Sequence, residues 1–307
     1  MIIHEGIPKL NHPAGTAVTV GKFDGLHLGH PRIIGEMAHE ARDQGLLSVV
    51  AAIVTSGVPR IFTRDEMAEI LREMGVDVFL VIPFTEEFRS TEAETFLKRD
   101  LLGKLRMKIC FSGEDFRFGK SGLGDSAFLA ERSRTDGFSY RMIPDLCLRG
   151  EIVKSSLIRE KLAAMDVAGA AEMLGRPYTI SGTVAHGRRL GSRIGFPTVN
   201  IVPPGDKFLP GFGVYQAVLT VLPGEGTDES AADYPGILDL GVKPTVSGTG
   251  VPAAEVHLFD FDGDLYGRKV SAAFRKNIRE ERKFASVEAL RVQIAEDVEN
   301  VQQMFKE

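Results

Sequence analysis

Residues 46–54 are apolar at almost every position, so a strand built from them has no polar face to turn to water. Such a strand is stable inside a parallel sheet that helices cover on both sides. The flanking sequence repeats this requirement. Residues 17–20 form a shorter apolar run, followed by a glycine-rich turn and a helical stretch over 29–44. Thr63-Arg64-Asp65-Glu66 has the pattern of a capping box and predicts a helix that runs to Met74. Residues 76–82 predict the next strand, and Thr91-Glu92-Ala93-Glu94 repeats the box signature before a helix ending near Leu102. Residues 108–112 and 139–143 predict further strands around a helix over 127–135. This alternation specifies an α/β, doubly wound parallel sheet whose ligand crevice lies at the carboxyl ends of its strands.

The texture changes after two short helical stretches at 156–164 and 168–174. Residues 175–267 hold nine of the fifteen prolines and sixteen of the thirty-three glycines. These break the chain into short alternating runs at 179–184, 214–222 and 254–261, the pattern of a small antiparallel β-barrel. An amphipathic helix over 287–305 closes it. At about 150 residues per domain, a chain of 307 residues accommodates two domains, expected at 1–174 and 175–307.

Composition removes several classes of function. With 37 basic and 42 acidic side chains the net charge is −5, which does not suit a protein wrapped in nucleic acid. Small anionic substrates remain possible partners, because a few local cations suffice. The longest apolar run falls far short of the roughly 20 residues that span a bilayer, and His4 and Glu5 interrupt any secretory signal. Cys110 and Cys147 are too few for a disulfide framework or a thiolate metal site. The expectation is a soluble cytoplasmic protein with no nucleic-acid or membrane partner, its oligomeric state not specified by sequence.

The first chemical constellation is Gly21-Lys22-Phe23-Asp24-Gly25-Leu26-His27-Leu28-Gly29-His30, between the first predicted strand and helix. His27 and His30, at i and i+3 on an opening turn, point the same way. Glycines such as Gly21 and Gly29 let backbone N–H groups approach a ligand, and a helix N-terminus favours anions. The combination suits a triphosphate attacked at its α-phosphate. A turn with two solvent-facing histidines is the plain alternative, and metal binding a third, with no carboxylate cluster nearby to support it.

The segment resembles the nucleotidylyltransferase superfamily, whose members transfer AMP or CMP from a nucleoside triphosphate. Lys154-Ser155-Ser156-Leu157-Ile158-Arg159 looks like that superfamily's second element, in which Ser155, Ser156 and Arg159 would hold phosphates; alone, it is an ordinary helix start. Gly113-Glu114-Asp115-Phe116-Arg117-Phe118-Gly119 is similar to an element of the bacterial bifunctional riboflavin kinase/FAD synthetase (FMN adenylyltransferase) family. Asp115, Phe116 and Phe118 would then lie by the flavin, although loop packing is the commoner meaning of paired aromatics. In the same family Gly21, Phe23, Asp24 and Gly29 would bind nucleotide.

The carboxyl-terminal half carries a second set. His186-Gly187 leads to Gly191-Ser192-Arg193-Ile194-Gly195-Phe196-Pro197-Thr198-Val199-Asn200. If extended, Thr198 and Asn200 share a face, and their neutral oxygens can complete the shell of a phosphate-held Mg²⁺. A glycine-rich hairpin with a basic tip at Arg188, Arg189 and Arg193 is the simpler reading of these residues alone. Glu255, ahead of residues 256–261, could accept a hydroxyl proton or be a surface carboxylate at a strand start. These runs, with Gly213-Val214-Tyr215, Gly241-Val242-Lys243-Pro244-Thr245, Asp264-Leu265-Tyr266-Gly267 and Ile278-Arg279, resemble the riboflavin kinase domain in order.

The resemblance implies that Gly187, Gly195, Pro197, Thr198 and Asn200 bind nucleotide, that Thr198 and Asn200 contact Mg²⁺, that Glu255 is the base, and that Arg279 lies by the flavin. It implies an enzyme that makes FMN from riboflavin and FAD from FMN, with ATP as co-substrate and Mg²⁺ as cofactor. Two departures stand out. The family's Phe-Asp-Pro-His-Pro-like segment is Val54-Thr55-Ser56-Gly57-Val58-Pro59 here, and its Asn before Ile-Gly is Asp239. The first leaves open a riboflavin kinase with a weakened adenylyltransferase domain; a flavin-binding regulator is the non-enzymatic alternative.

Overall fold

A computed structural model describes residues 1–185, 191, 195–224, 230–243 and 251–306. The chain divides by its internal contacts into Met1–Ser155 and Ser156–Glu307.

The first unit contains strands β1 (Ile2–Glu5), β2 (Thr16–Gly21), β3 (Leu47–Val54), β4 (Val78–Pro83), β5 (Met107–Gly113) and β8 (Ser139–Ile143), in the order β1-β4-β3-β2-β5-β8. Every pairing is parallel. Two small ribbons accompany them: β6 (Arg117–Phe118) with β7 (Gly124–Asp125), and β9 (Cys147–Leu148) with β10 (Glu151–Ile152). The apolar run at 46–54 meets its requirement, with Val49, Val50, Ala51 and Ala52 fully buried. From β2 the chain steps to β3 on one side and returns later to β5 on the other. The carboxyl ends of β2 and β5 therefore flank the switch point where such sheets bind ligands.

Helix α1 (Gly29–Asp43) follows β2, and α2 (Arg64–Glu73) opens on the expected capping box. Thr63 accepts from the Glu66 N–H, and Glu66 returns a bond to the Thr63 N–H. The second expected box does not form. Thr85 instead caps the short α3 (Glu86–Arg89), and the Thr91 hydroxyl donates back to the Glu87 carbonyl at 3.0 Å. The next helix has Glu92 at its N-cap without a side-chain bond, begins as α4 (Ala93–Thr95) and continues as a π-helix over Phe96–Lys104. Asp100, 1% exposed, accepts an ion pair from Arg99 and another from Lys104, each at 2.8 Å. Helix α5 (Ser126–Ser133) precedes β8.

Helices α6 (Ser155–Ala163) and α7 (Val167–Leu174) come next. From Ser156 onward these residues group with the second unit. The Gly211 N–H donates to the Leu162 carbonyl at 2.9 Å, and α7 packs on a barrel strand. Gly175, at φ +71, ends α7 in the left-handed conformation that glycine accepts readily. The compositional seam at 174/175 thus coincides with a helix stop.

The second unit is a closed antiparallel barrel, β11-β12-β15-β14-β13-β16, of β11 (Thr179–Ala185), β12 (Val199–Ile201), β13 (Gly213–Val221), β14 (Ala232–Lys243), β15 (Val251–Leu258) and β16 (Lys269–Glu280). Its interior holds Tyr178, Tyr215 and Phe274, with Tyr215 edge-on to Phe274 at 4.9 Å. The two buried hydroxyls are satisfied: Tyr178 donates to the Phe208 carbonyl and Tyr215 to the Gly211 carbonyl. Helix α8 (Val287–Met304) lays Val298 and Val301 against Val214, Ile237 and Phe259 on the outer barrel wall.

Candidate functional sites

The loop leaving β2 is bent by two left-handed residues, Phe23 (φ +46) and Leu26 (φ +36), a costly conformation away from glycine. The bends bring the His27 and His30 rings into close contact, tilted 34° to each other with centroids 3.9 Å apart. Phe23, 3% exposed, lies edge-on beneath His30 at 5.1 Å. One glycine of the motif has a steric reason: a Cβ on Gly21 would meet the Phe23 ring at 3.2 Å. Asp24 fastens the following loop: its Oδ1 accepts from the Ile61 N–H at 3.1 Å, and its carbonyl from the Phe62 N–H at 3.3 Å. Residues 55–61, though departing from the family pattern, are therefore held to the histidine loop.

Burial lowers the His27 pKa to about 4 against the opposing fields of Asp115 and Asp24. Burial and His27 together hold His30 well below 6.5. Both Nδ1 atoms are shielded from solvent and have no hydrogen-bond partner among the described residues. A buried polar atom without a partner costs free energy, so a ligand's polar atoms have something to satisfy here. Helix α1 adds an N-terminus with no acidic residue in its first turn.

The loop leaving β5 faces the same crevice. Asp115 is exposed and exerts its field on His27. Asp145 has its carboxyl pKa raised by burial and by Asp115 and Glu114. Phe116 is half-buried, stacked on Phe118 at 5.3 Å. Phe118 itself is 5% exposed and enclosed by Phe96 and Phe128, each at 5.7 Å. Its ring is packed into this aromatic cluster and supports Phe116 from behind. Gly119 (φ +71) passes so close to α4 that a Cβ there would sit 2.7 Å from the Ala93 N and Cα. Gly119→Ala should therefore cost about 2–4 kcal/mol, from left-handed strain plus overpacking. Urea unfolding of the purified variant checks this.

In the second unit one rung of the barrel collects the expected kinase residues. Asn200 on β12 pairs with Glu255 on β15, Glu255 with Asp239 on β14, Asp239 with Val214 on β13, and Val214 with Arg279 on β16. Cross-strand partners share a face. On β15 the alternating Ala254, Val256 and Leu258 are buried inward, while Glu255 and His257 lie half-buried on the outside. Thr198 precedes β12, its carbonyl 3.5 Å from the Asn200 Nδ2 donor. Gly195 (φ +95) and Pro197 form the approach to it, and the Phe196 N–H donates to the Gly191 carbonyl at 2.8 Å. Gly187, Arg188, Arg189, Arg193 and Thr245 lie outside the described residues.

Arg279, expected by the flavin, is ion-paired to the last helix. Its guanidinium donates to Asp297 of α8 at 2.8 Å, and Asp297 is 5% exposed. Sequence reasoning missed Asp297, although it lies on the same helical stripe as Leu290, Ile294 and Val301, where an acid calls for a partner. Arg159, expected at a phosphate, stacks over the Phe208 ring at 4.7 Å; Ser155 and Ser156 open α6. Among the described residues no group of three or more His, Cys, Asp or Glu side chains could hold a metal ion. The neutral oxygen donors of Thr198 and Asn200 match Mg²⁺ that phosphates largely hold. No helix of the described residues is long and apolar enough to cross a membrane.

A doubly wound sheet with paired histidines at its switch point, joined to a closed barrel bearing a carboxylate–amide rung, defines a two-domain enzyme of phosphate-group transfer. The FAD synthetase family model matches residues 9–157, and the riboflavin kinase family model matches residues 174–305. The chain is 36% identical over 294 residues to a bifunctional riboflavin kinase/FMN adenylyltransferase of Pseudomonas fluorescens, covering 92% of this chain and 91% of that protein. It is 36% identical over 300 residues to the like-named protein of Escherichia coli K12, covering 95% and 93%. A crystal structure described as a macrolide-efflux protein from Streptococcus pneumoniae superposes with TM-score 0.83 at 26% identity, covering 97% of each chain. The chain belongs to the bifunctional riboflavin kinase/FMN adenylyltransferase family and is a transferase.

Proposed function

We propose that this chain carries out the family's two ATP-dependent reactions, riboflavin to FMN and FMN to FAD with release of pyrophosphate, at two separate sites. The observation that carries this reading is the close His27–His30 pair, with both Nδ1 atoms shielded and unpartnered among the described residues. In the second reaction the FMN phosphate attacks the α-phosphate of ATP. Charge then develops on the α-phosphate oxygens and is met by neutral imidazole donors and the α1 N-terminus. Phe116, with Asp115 beside it, is the flavin-facing part of the β5 loop.

In the first reaction Glu255 accepts the proton of the ribityl hydroxyl as that oxygen attacks the γ-phosphate. Thr198 and Asn200 hold the nucleotide and the Mg²⁺ it carries; the cation supplies charge neutralisation on the phosphates. The substrates are small molecules, and a cytoplasmic location matches them. The adenylylation histidines lie in 1–174 and the kinase residues in 175–307. The kinase-only and regulatory alternatives gain no support, because both family models match. Incubating the protein with riboflavin and Mg-ATP and chromatographing the flavins is the test: FAD supports the reading, whereas FMN alone or unchanged riboflavin overturns it.

A pH dependence follows from the buried rings. His27 and His30 are both neutral near pH 7, so adenylylation should show no inflection from them between about pH 6 and pH 8. In the unfolded chain the same rings take up protons below about pH 6.5. The unfolded state then binds more protons than the folded one, and stability falls as pH drops from 6.5 toward 4. Melting temperature followed across that range should decline more steeply for the native protein than for the variant with both histidines replaced by Ala.

A further inference from the structure

The β12 ladder stops one residue short of where the kinase site needs it. Its last pair with β15 is Val199 with Val256, so Thr198 lies opposite His257 and Pro197 lies beyond. Proline has no N–H to extend the ladder, and backbone pairing alone leaves Thr198 at a loose strand end. His257 fills this gap from the facing strand. Its Nδ1 lies 2.8 Å from the Pro197 carbonyl oxygen. A carbonyl only accepts, so Nδ1 carries the hydrogen and the ring is fixed in one tautomer. The same ring meets Phe196 edge-on at 5.5 Å and is backed by Phe259 at 6.0 Å. Phe196 and Pro197 are thus clamped by one side chain, two residues along β15 from Glu255.

We propose that His257 is a positioning residue of the phosphorylation reaction, holding the Pro197 carbonyl so that Thr198 meets the nucleotide beside Glu255. This rests on the assignment of Thr198 and Glu255 made above. His257 touches no reacting atom; it acts through the segment it holds. Losing one such bond corresponds to about a tenfold effect.

Two substitutions separate the bond from the packing. His257→Phe keeps a ring against Phe196 and removes the donor, whereas His257→Asn offers an amide N–H close to where Nδ1 stood. With riboflavin and Mg-ATP, His257→Phe should raise the KM for ATP about tenfold and leave the KM for riboflavin within about twofold. His257→Asn should recover most of that loss. Adenylylation of supplied FMN, unchanged in both, reports that the chain is folded. Thr198→Ala and the Thr198→Ala, His257→Phe double variant complete the cycle. If His257 works through Thr198, the double variant is no worse than Thr198→Ala alone. Multiplying effects, an unchanged KM for ATP in His257→Phe, or an Asn variant as impaired as the Phe variant overturns the proposal. A Thr198→Ala protein with normal ATP kinetics instead overturns the site assignment beneath it.

Discussion

Glu255→Gln is expected to lower FMN formation by about 10²–10⁴-fold, the range for losing a general base, and to leave adenylylation of supplied FMN intact. Gln preserves the size of the side chain and its place between Asn200 and Asp239, so the strand register is kept while the proton acceptor is removed. The neighbouring Asp239 makes the test sharper. It supplies a second carboxylate on the same rung, where the family pattern has Asn, and like charges directly across strands are unfavourable. If Asp239 served as the base, Asp239→Asn would be the more damaging change. Steady-state formation of FMN by both variants decides: the account requires Glu255→Gln to be the slower by at least tenfold.

Replacing His27 and His30 together with Ala should lower FAD formation from FMN by at least about 10³-fold, since a single preorganised donor at a developing oxyanion contributes about 10²–10³. The two losses should not multiply in full, because the rings touch, with centroids 3.9 Å apart, and act as a unit. FMN formation should continue, as Glu255, Asn200 and Thr198 belong to the other unit. Equal loss of both activities would refute the division of labour.

What the sequence disclosed and what it hid have physical causes. Residues 46–54 had no polar face to expose, so only a doubly covered strand could use them, and β3 is that strand. Ile2–Glu5 escaped notice because β1 is an edge strand, half-exposed, with no apolar face to mark it. The second capping box misled because Thr91 has a competing acceptor, the Glu87 carbonyl, that lies behind it in the chain. Motif spacing grouped His27 with His30 and Asn200 with Glu255, and a local turn and the ladder register bring each pair together. Phe118 and Arg279 matched motif positions too, yet their surroundings are tertiary: an aromatic cluster in one case, Asp297 of a distant helix in the other. His257 was invisible for the same reason, its partner being a carbonyl sixty residues away.

If one chain holds two independent catalytic sites, two variants that each lack one site should complement each other. Glu255→Gln protein is mixed with His27→Ala, His30→Ala protein in riboflavin and Mg-ATP, and the flavins are followed by chromatography. Neither variant alone should make appreciable FAD from riboflavin: the first should leave riboflavin and the second should stop at FMN. The mixture should make FAD, since FMN released by one protein is the substrate of the other. A mixture that accumulates FMN without FAD, or leaves riboflavin unchanged, contradicts the account.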